Sequence, residues 1–417
     1  MTIAQTDVLI VGAGPAGLAS AIQLKRQGVA RVTVVDREPE AGGMPRLCHH
    51  TGFGVWDFHR LYTGPQYARR YVALARDLDV ELLTETTITG WRSERALTFT
   101  SPRGLGAIEA RAILLATGVR ERPRAARLVP GYRPRGVFTT GSLQRFVDEE
   151  HLPVGRRAVI VGAEGVSLSA FMTLTGAGVA VAAMITEFPR DQLYFHYAPA
   201  KWWLMHVRHP TPIHTSTRIT RILGRKRVEG VEVESLRTGR RQIIPCDTVV
   251  FTGDWIPEHE VARKGELAMD AGTKGPRIDG QFRTSAPGVF AAGNLLRGAE
   301  TAATSAMEGR FAAGHIADFL AGRAWPQRRL PILTQSPIIW AFPNAIAAAD
   351  DPTSLTRISF RVEKFIDDAV VQVRQGHKVL HEQRFRHLLP NETMRLKSDW
   401  LAQVDFDGDP PQVILTG

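Results

Sequence analysis

The chain has 417 residues, enough for two to three domains rather than one core, and its 44% apolar and 23% charged residues are ordinary for a globular protein. Lys and Arg number 52 against 42 Asp and Glu, a net charge of +10. The arginines are scattered rather than gathered with aromatics into a stripe, so no nucleic-acid partner is expected; anionic cofactors, acidic substrates or an acidic partner protein explain the balance. The two cysteines, Cys48 and Cys246, exclude a disulfide framework, a four-cysteine zinc site and an all-cysteine iron–sulfur cluster, and no metal site is expected from this chain. The N-terminus enters a strand with no basic n-region ahead of an apolar h-region, and no apolar run approaches the roughly 18–20 residues that span a bilayer. A cytoplasmic location is expected.

Residues 7–12 (DVLIVG) are continuously apolar and β-branched-rich after Asp7, the pattern of a buried strand. Gly12-Ala13-Gly14-Pro15-Ala16-Gly17 then supplies a tight turn. The first glycine turns the chain, the second lets backbone approach a pyrophosphate, and the third lets the helix pack on the strand. The helix from about Pro15 to Gln27 offers its N-terminal N–H groups to phosphates. A second strand, Val32–Val35, ends in Asp36, about 20 positions past the last glycine, where a carboxylate accepts hydrogen bonds from a ribose.

The same unit recurs. Residues 158–170 (AVIVGAEGVSLSA) give strand, turn and helix start; Val179–Ile185 is the next strand, closed by Glu187. Thr248–Gly253 (TVVFTG) echoes Ala112–Gly118 (AILLATG). In the second turn Gly162 is kept, but Glu164 stands where backbone must approach pyrophosphate and Ser167 replaces the packing glycine. Two anions about 4 Å apart repel by several kcal/mol at an intermediate effective dielectric, against weak helix-dipole attraction. The expectation is a domain kept for its fold while nucleotide binding is weakened or lost. The alternative is that Gly165 shifts the loop register and a nucleotide still binds, with Glu187 on its ribose. No arginine at the strand end favours a 2′-phosphate, so NADP is the least expected ligand.

The opening fingerprint, the ATG strand and residues 284–294 (TSAPGVFAAGN) together resemble the flavoprotein pyridine-nucleotide oxidoreductases that carry two dinucleotide domains. The resemblance covers roughly residues 5–320. It implies an α/β fold: a Rossmann-like FAD domain (1–120 and 275–325), an inserted second dinucleotide-type domain (121–274) and, beyond a linker (326–349), a small all-β domain (350–417). It implies FAD as cofactor, held by Gly12, Gly14, Pro15, Ala16, Gly17, Asp36, Arg37, Gly43, Met44, Ala116, Thr117, Gly118, Gly293, Asn294 and Thr301. In that class the late segment carries an aspartate on the ribityl chain; here it is Asn294, which can still bond a hydroxyl. In that class the inserted domain binds the NAD(P)H that reduces the flavin.

Disulfide reductases of the class carry a redox CxxxxC or CxxC, which this chain lacks. Instead Gly42–Gly54 (GGMPRLCHHTGFG) follows the first unit, and with residues 61–71 (LYTGPQYARRY) and 116–124 (ATGVRERPR) it resembles the FAD subunits of opine oxidases, dye-linked proline dehydrogenases and hydrogen cyanide synthase, and the corresponding part of heterotetrameric sarcosine oxidase. The resemblance implies an oxidoreductase subunit for an amine or imino acid beside a second flavoprotein or iron–sulfur subunit, hence a hetero-oligomer; any iron–sulfur centre resides in that partner. The alternatives are an NADH-dependent reductase feeding a carrier protein and a non-catalytic assembly subunit stabilised by flavin.

Cys48, His49 and His50 are candidates for a catalytic role near the flavin ring, the alternative being a packed thiol beside histidines that bond loop carbonyls. Arg120 and Arg122 serve either ion pairing or the cofactor, and Cys246 is expected to be structural. Tyr194-Phe195-His196-Tyr197 with Trp202-Trp203 walls a pocket or a partner surface. Residues 330–345 are proline-punctuated and extended, as a linker would be. Alternating runs at 358–365, 369–375 and 377–385, with 392–397 and 412–416, read as a small antiparallel sandwich with a hairpin at Gly376. It either docks a partner subunit or caps the flavoprotein.

Overall fold

The computed structural model describes residues 2–193, 203–348 and 357–416, which form two compact units. The first comprises 1–46, 52–120 and 256–417; the second comprises 47–51 and 121–255.

In the first unit, strand Thr2–Val11 lies parallel between Val32–Val35 and Gly104–Leu115, with Val8 opposite both Val32 and Ala112. Strand Gly104–Leu115 is long enough to change partners. Its first half pairs antiparallel with Ala96–Ser101, and its last residues pair parallel with Val289–Ala291. The strand ends that meet at the carboxyl edge (residues 8–11, 32–35, 112–115 and 289–291) are buried, as parallel strands covered on both faces must be. Helix Pro15–Arg26 starts where proline's fixed φ suits a first turn. It crosses helix Ala302–Leu320 so closely that a Cβ on Gly309 would lie 2.0 Å from the Ala16 carbonyl oxygen.

The second unit repeats the parallel arrangement. Its strands run in the order Val137–Thr139, Thr248–Phe251, Arg157–Val161, Ala180–Ile185 and Ile213–His214, with a separate three-stranded antiparallel sheet at 217–245. Two-residue alternation splits its core. Ala158 and Ile160 face Phe171 and Leu174 of helix Gly165–Gly176, while Val159 and Phe251 face Ile222, Val231 and Val233 of the antiparallel sheet.

Residues 256–274, expected in the inserted domain, belong to the first unit: Ala262 and Leu267 join its core, and the Trp91 indole N–H donates to the Val261 carbonyl at 2.7 Å. The stretch read as a linker is also structured. Arg329–Pro331 pairs with Ala345–Ala347, and Ile338–Phe342 pairs with Arg357–Val362, with Ile338 and Trp340 turned inward and Ile339 outward. Pro331 ends one of these strands, and Pro337 and Pro343 flank another, so the prolines punctuate a sandwich rather than a tether. Ile366–Gln375 and Lys378–Leu388 form the hairpin at Gly376, whose φ is +54°. The sandwich closes over its own core around fully buried Trp400 and Phe360. Among the described residues no helix is long and apolar enough to cross a membrane. Tyr194–Tyr197 and Trp202, and the side chain of Trp203, lie outside the described residues.

Candidate functional site

The carboxyl ends of the first unit's strands build a crevice from backbone and small side chains. Gly12 turns at φ +110°, and a Cβ there would sit 2.3 Å from the Ala116 carbonyl oxygen. A Cβ on Gly17 would sit 1.9 Å from the Gly12 carbonyl oxygen, so both glycines are required by the chain itself. Gly14 differs: a Cβ there would meet nothing closer than the Gly43 Cα at 4.0 Å. Gly14 is the N-cap of the first helix, which has no side-chain cap and no acid in its first turn. Open space thus lies over an uncapped positive helix end, the seat an anionic group needs.

Asp36 closes one side. Its Oδ2 accepts the Ala13 N–H at 2.6 Å and its Oδ1 the Glu38 N–H at 2.9 Å, which fixes the carboxylate at the strand end. Gly43 packs against Gly14, and Gly42 donates to the Ala13 carbonyl at 2.8 Å. Met44 is half exposed. Thr117 Oγ1 donates to the Glu258 carbonyl at 2.7 Å, and the Glu258 carboxylate holds Arg120 at 2.8 Å and Arg37 at 3.6 Å. Glu258 organises this rim, and sequence reasoning missed it because it lies far from the motifs. Arg122 pairs with Asp254 at 3.1 Å within the second unit.

On the far side Gly293, at φ +77°, lies against Ala16 and donates its N–H to Glu308 Oε2 at 3.0 Å. Asn294 Oδ1 accepts from the Glu300 N–H and the Ser305 hydroxyl, both at 3.0 Å, leaving its amide N–H groups as donors. An asparagine here therefore offers donors to a hydroxyl where an aspartate would accept. Thr301 caps the late helix by accepting the Thr304 N–H at 3.2 Å. These residues fit FAD: the glycines leave room for a pyrophosphate, Asp36 would face a ribose, and the free amide donors of Asn294 would serve a ribityl hydroxyl.

The second crevice has the same backbone and a different occupant. Glu164 is the N-cap of helix Gly165–Gly176, with φ −111° and ψ −178° against −82° and −174° at Gly14, so the loop has not shifted register. Gln192 donates to the Ala163 carbonyl at 2.8 Å as Gly42 does to Ala13. The Ala163 N–H, however, is taken by the Glu164 carboxylate itself, at 2.9 Å through Oε2. Oε1 is buried without a hydrogen bond, close to Gly253. Burial pushes the Glu164 carboxyl above the usual range, while the Thr252 and Ser167 hydroxyls and backbone N–H groups pull the other way. Ser167 also bonds Thr252, Oγ to Oγ1, at 2.7 Å, a contact that a glycine could not make.

Glu187 lines a nearby cleft of about 500 Å³ with Arg122, Arg127, Arg218 and Arg241. Arg218 pairs with Glu234 at 3.1 Å; Arg127 donates to the carbonyls of Thr252 and Gly253 at 3.0 and 2.8 Å. Sequence spacing gave no sign that these arginines converge.

Residues 47–51 belong to the second unit. Cys48 Sγ donates to Gln144 Oε1 at 3.8 Å, Gln144 Nε2 to Ser169 Oγ at 2.9 Å, and Ser169 Oγ lies 2.8 Å from His50 Nε2. His50 Nδ1 lies 2.8 Å from the Thr51 carbonyl, which can only accept, so Nδ1 carries a proton. Burial pushes the Cys48 thiol up to about 12, opposed by Gln144 and assisted by Asp148 and Glu121. His49 is half exposed, 4.0 Å from Asp148. With His151, the two histidines and Asp148 line a cavity of about 730 Å³; among the described residues no group of three or more such side chains is placed to hold a metal ion. Cys246 packs in the core, its thiol also pushed up to about 12 by burial.

Two outcomes test this geometry. Gly14→Ala should purify folded with a strongly reduced flavin-to-protein ratio, because its methyl enters ligand space, whereas Gly17→Ala should fail to fold; full FAD retention by Gly14→Ala would contradict the assignment. At pH 8 a thiol near 12 is about 10⁻⁴ thiolate, so iodoacetamide should modify Cys48 slowly in the native protein and rapidly after unfolding. Fast native modification would contradict the desolvated thiol.

The chain is 27% identical over 335 residues to one of the subunits of opine oxidase from Agrobacterium tumefaciens, covering 74% of this chain and 64% of that one, just under two thirds of its length. It is 28% identical over 344 residues to a putative glutamate synthase (NADPH) small chain of Cereibacter sphaeroides, covering 76% and 77%. The fold matches T. acidophilum thioredoxin reductase with a TM-score of 0.64 at 22% identity, over 76% of this chain and 99% of that one. The pyridine nucleotide-disulphide oxidoreductase family matches residues 6–309. The chain therefore belongs to the pyridine nucleotide-disulphide oxidoreductase family, and its cofactor is FAD.

Proposed function

We propose that this chain is the FAD subunit of a dehydrogenase for an amine or imino acid, of the opine or proline type, passing electrons to a partner subunit or another non-nicotinamide acceptor. One observation carries the reading: Glu164 stands at the N-cap of the second helix, the position held in the first crevice by Gly14 beside open space, and its carboxylate folds back onto the Ala163 N–H. A phosphate entering there would have to displace a carboxylate from the helix end or lie beside it, and the repulsion is several kcal/mol at about 4 Å and an effective dielectric near 20. The likeness to the opine oxidase of Agrobacterium tumefaciens supports the substrate class.

The chemistry of the thiols supports it as well. Neither cysteine is in a disulfide; Cys246 is buried, Cys48 is partly buried, and the two lie in different parts of the second unit, so the chain holds no dithiol pair to reduce a disulfide substrate. When bound, FAD supplies the two-electron chemistry. The chain's own residues would seat its phosphates on the uncapped first helix, face its ribose with Asp36 and offer Asn294 as a donor.

A second reading, an NADH-dependent reductase, draws on Glu187, which lines a cleft large enough for part of a nucleotide. Anaerobic addition of NADH and then NADPH to the purified chain separates the two. The dehydrogenase reading expects the flavin absorbance to persist with both and to bleach with dithionite. Rapid bleaching by either nucleotide would overturn it and assign a pyridine-nucleotide reductase.

A further inference from the structure

The segment that follows strand Val289–Ala291 is held from two directions. From below, Glu308 accepts the Gly293 N–H and pairs with Arg297; these side chains are 5% and 4% exposed. The Arg297 guanidinium lies 3.8 Å over the Phe342 ring, which belongs to the C-terminal sandwich. From the sandwich itself, Arg361 Nη2 reaches Glu300 Oε1 at 3.2 Å, and the Thr393 hydroxyl donates to the same oxygen at 2.5 Å. Arg361 lies over Trp340 at 5.1 Å, which sets the plane of its fork.

Glu300 is therefore the joint. Its carboxylate is held by the sandwich, and its backbone N–H is bonded to Asn294 Oδ1. It stands immediately before Thr301, the N-cap of helix Ala302–Leu320. Gly293 touches Ala16 of the first fingerprint, and its strand pairs with the strand that ends at Leu115. This segment therefore lies at the carboxyl edge of the sheet, where a dinucleotide binds in an open α/β fold.

We infer that Arg361 of the C-terminal β-domain is a positioning residue for the flavin, acting through Glu300 to fix Asn294 and the start of the late helix and to neutralise a carboxylate at the flavin crevice. The β-domain is thus part of the cofactor site. This rests on FAD binding in the first unit and not on the identity of the electron acceptor.

Charge gives the inference a signature that loosened packing would not give. In Arg361→Met the Glu300 carboxylate loses the nearer of its two arginine partners, with Arg297 Nε left at 3.8 Å. Negative charge at the crevice opposes reduction, so the flavin midpoint potential should fall. In Glu300→Gln the positive charge of Arg361 is left over, and the potential should rise. A tenfold change in the ratio of oxidised to reduced flavin is about 30 mV for a two-electron couple.

The experiment measures midpoint potential and FAD dissociation on both single variants and the double variant. Opposite shifts of about this size, FAD released about tenfold faster from Arg361→Met, and recovery of both quantities in Arg361→Met/Glu300→Gln are expected. Unchanged potential and retention in the folded variants, or shifts of the same sign, would overturn the inference. If Arg361→Met fails to fold, Glu300→Gln decides alone: an upward shift sustains the inference and no shift ends it.

Discussion

A Rossmann helix that begins in a glycine turn leaves backbone N–H groups pointing at empty space, and something negative must answer them. The two halves of this chain meet that constraint differently. In the first, Asp36 reaches from the end of the neighbouring strand to the Ala13 N–H and leaves the helix end open beyond Gly14. In the second, Glu164 folds back from within the turn onto the Ala163 N–H. The turns share their N-cap conformation and the backbone bond that anchors them to the following loop. One position, glycine or glutamate, sets the two helix starts apart.

The rest of each half follows from that position. Around Gly14 the neighbours are small or distant: Gly43 packs against it, and Gly293 rests on Ala16. Around Glu164 the neighbours are polar. Ser167 and Thr252 bond each other beside it, and Arg127 lies across the carbonyls of Thr252 and Gly253 at the strand end. A buried carboxylate with a raised pKa is kept only where hydroxyls and N–H groups offset its desolvation. The second crevice is thus adapted to its own glutamate, with a serine where a packing glycine would stand.

Much of this was legible in the sequence because it is local. Apolar runs, glycine spacing and the acid at each second strand's end located both dinucleotide-type folds, and alternation located the tail's strands. Contacts closed over long separations were not legible. Glu258 joins Thr117, Arg120 and Arg37 from more than a hundred residues away, and Arg361 reaches Glu300 across a domain's length of chain. Residues 330–345 looked like a linker because prolines hide the alternation of Ile338, Ile339 and Trp340. Cys48 and His50 looked catalytic because cysteine and histidine next to a glycine loop suggest chemistry; the structure joins them through Gln144 and Ser169, and burial holds the Cys48 thiol well above the usual range.

The account turns on whether Glu164 occupies a phosphate seat. Calorimetric titration of NADH into the wild-type chain and into Glu164→Gly measures this directly. Removing the carboxylate should reopen the helix end and tighten NADH binding at least tenfold, about 1.4 kcal/mol, from a wild type that binds weakly or not at all. Equal, tight binding by both proteins would show that the glutamate never stood in the way, and the second domain would have to be read as a working nicotinamide site.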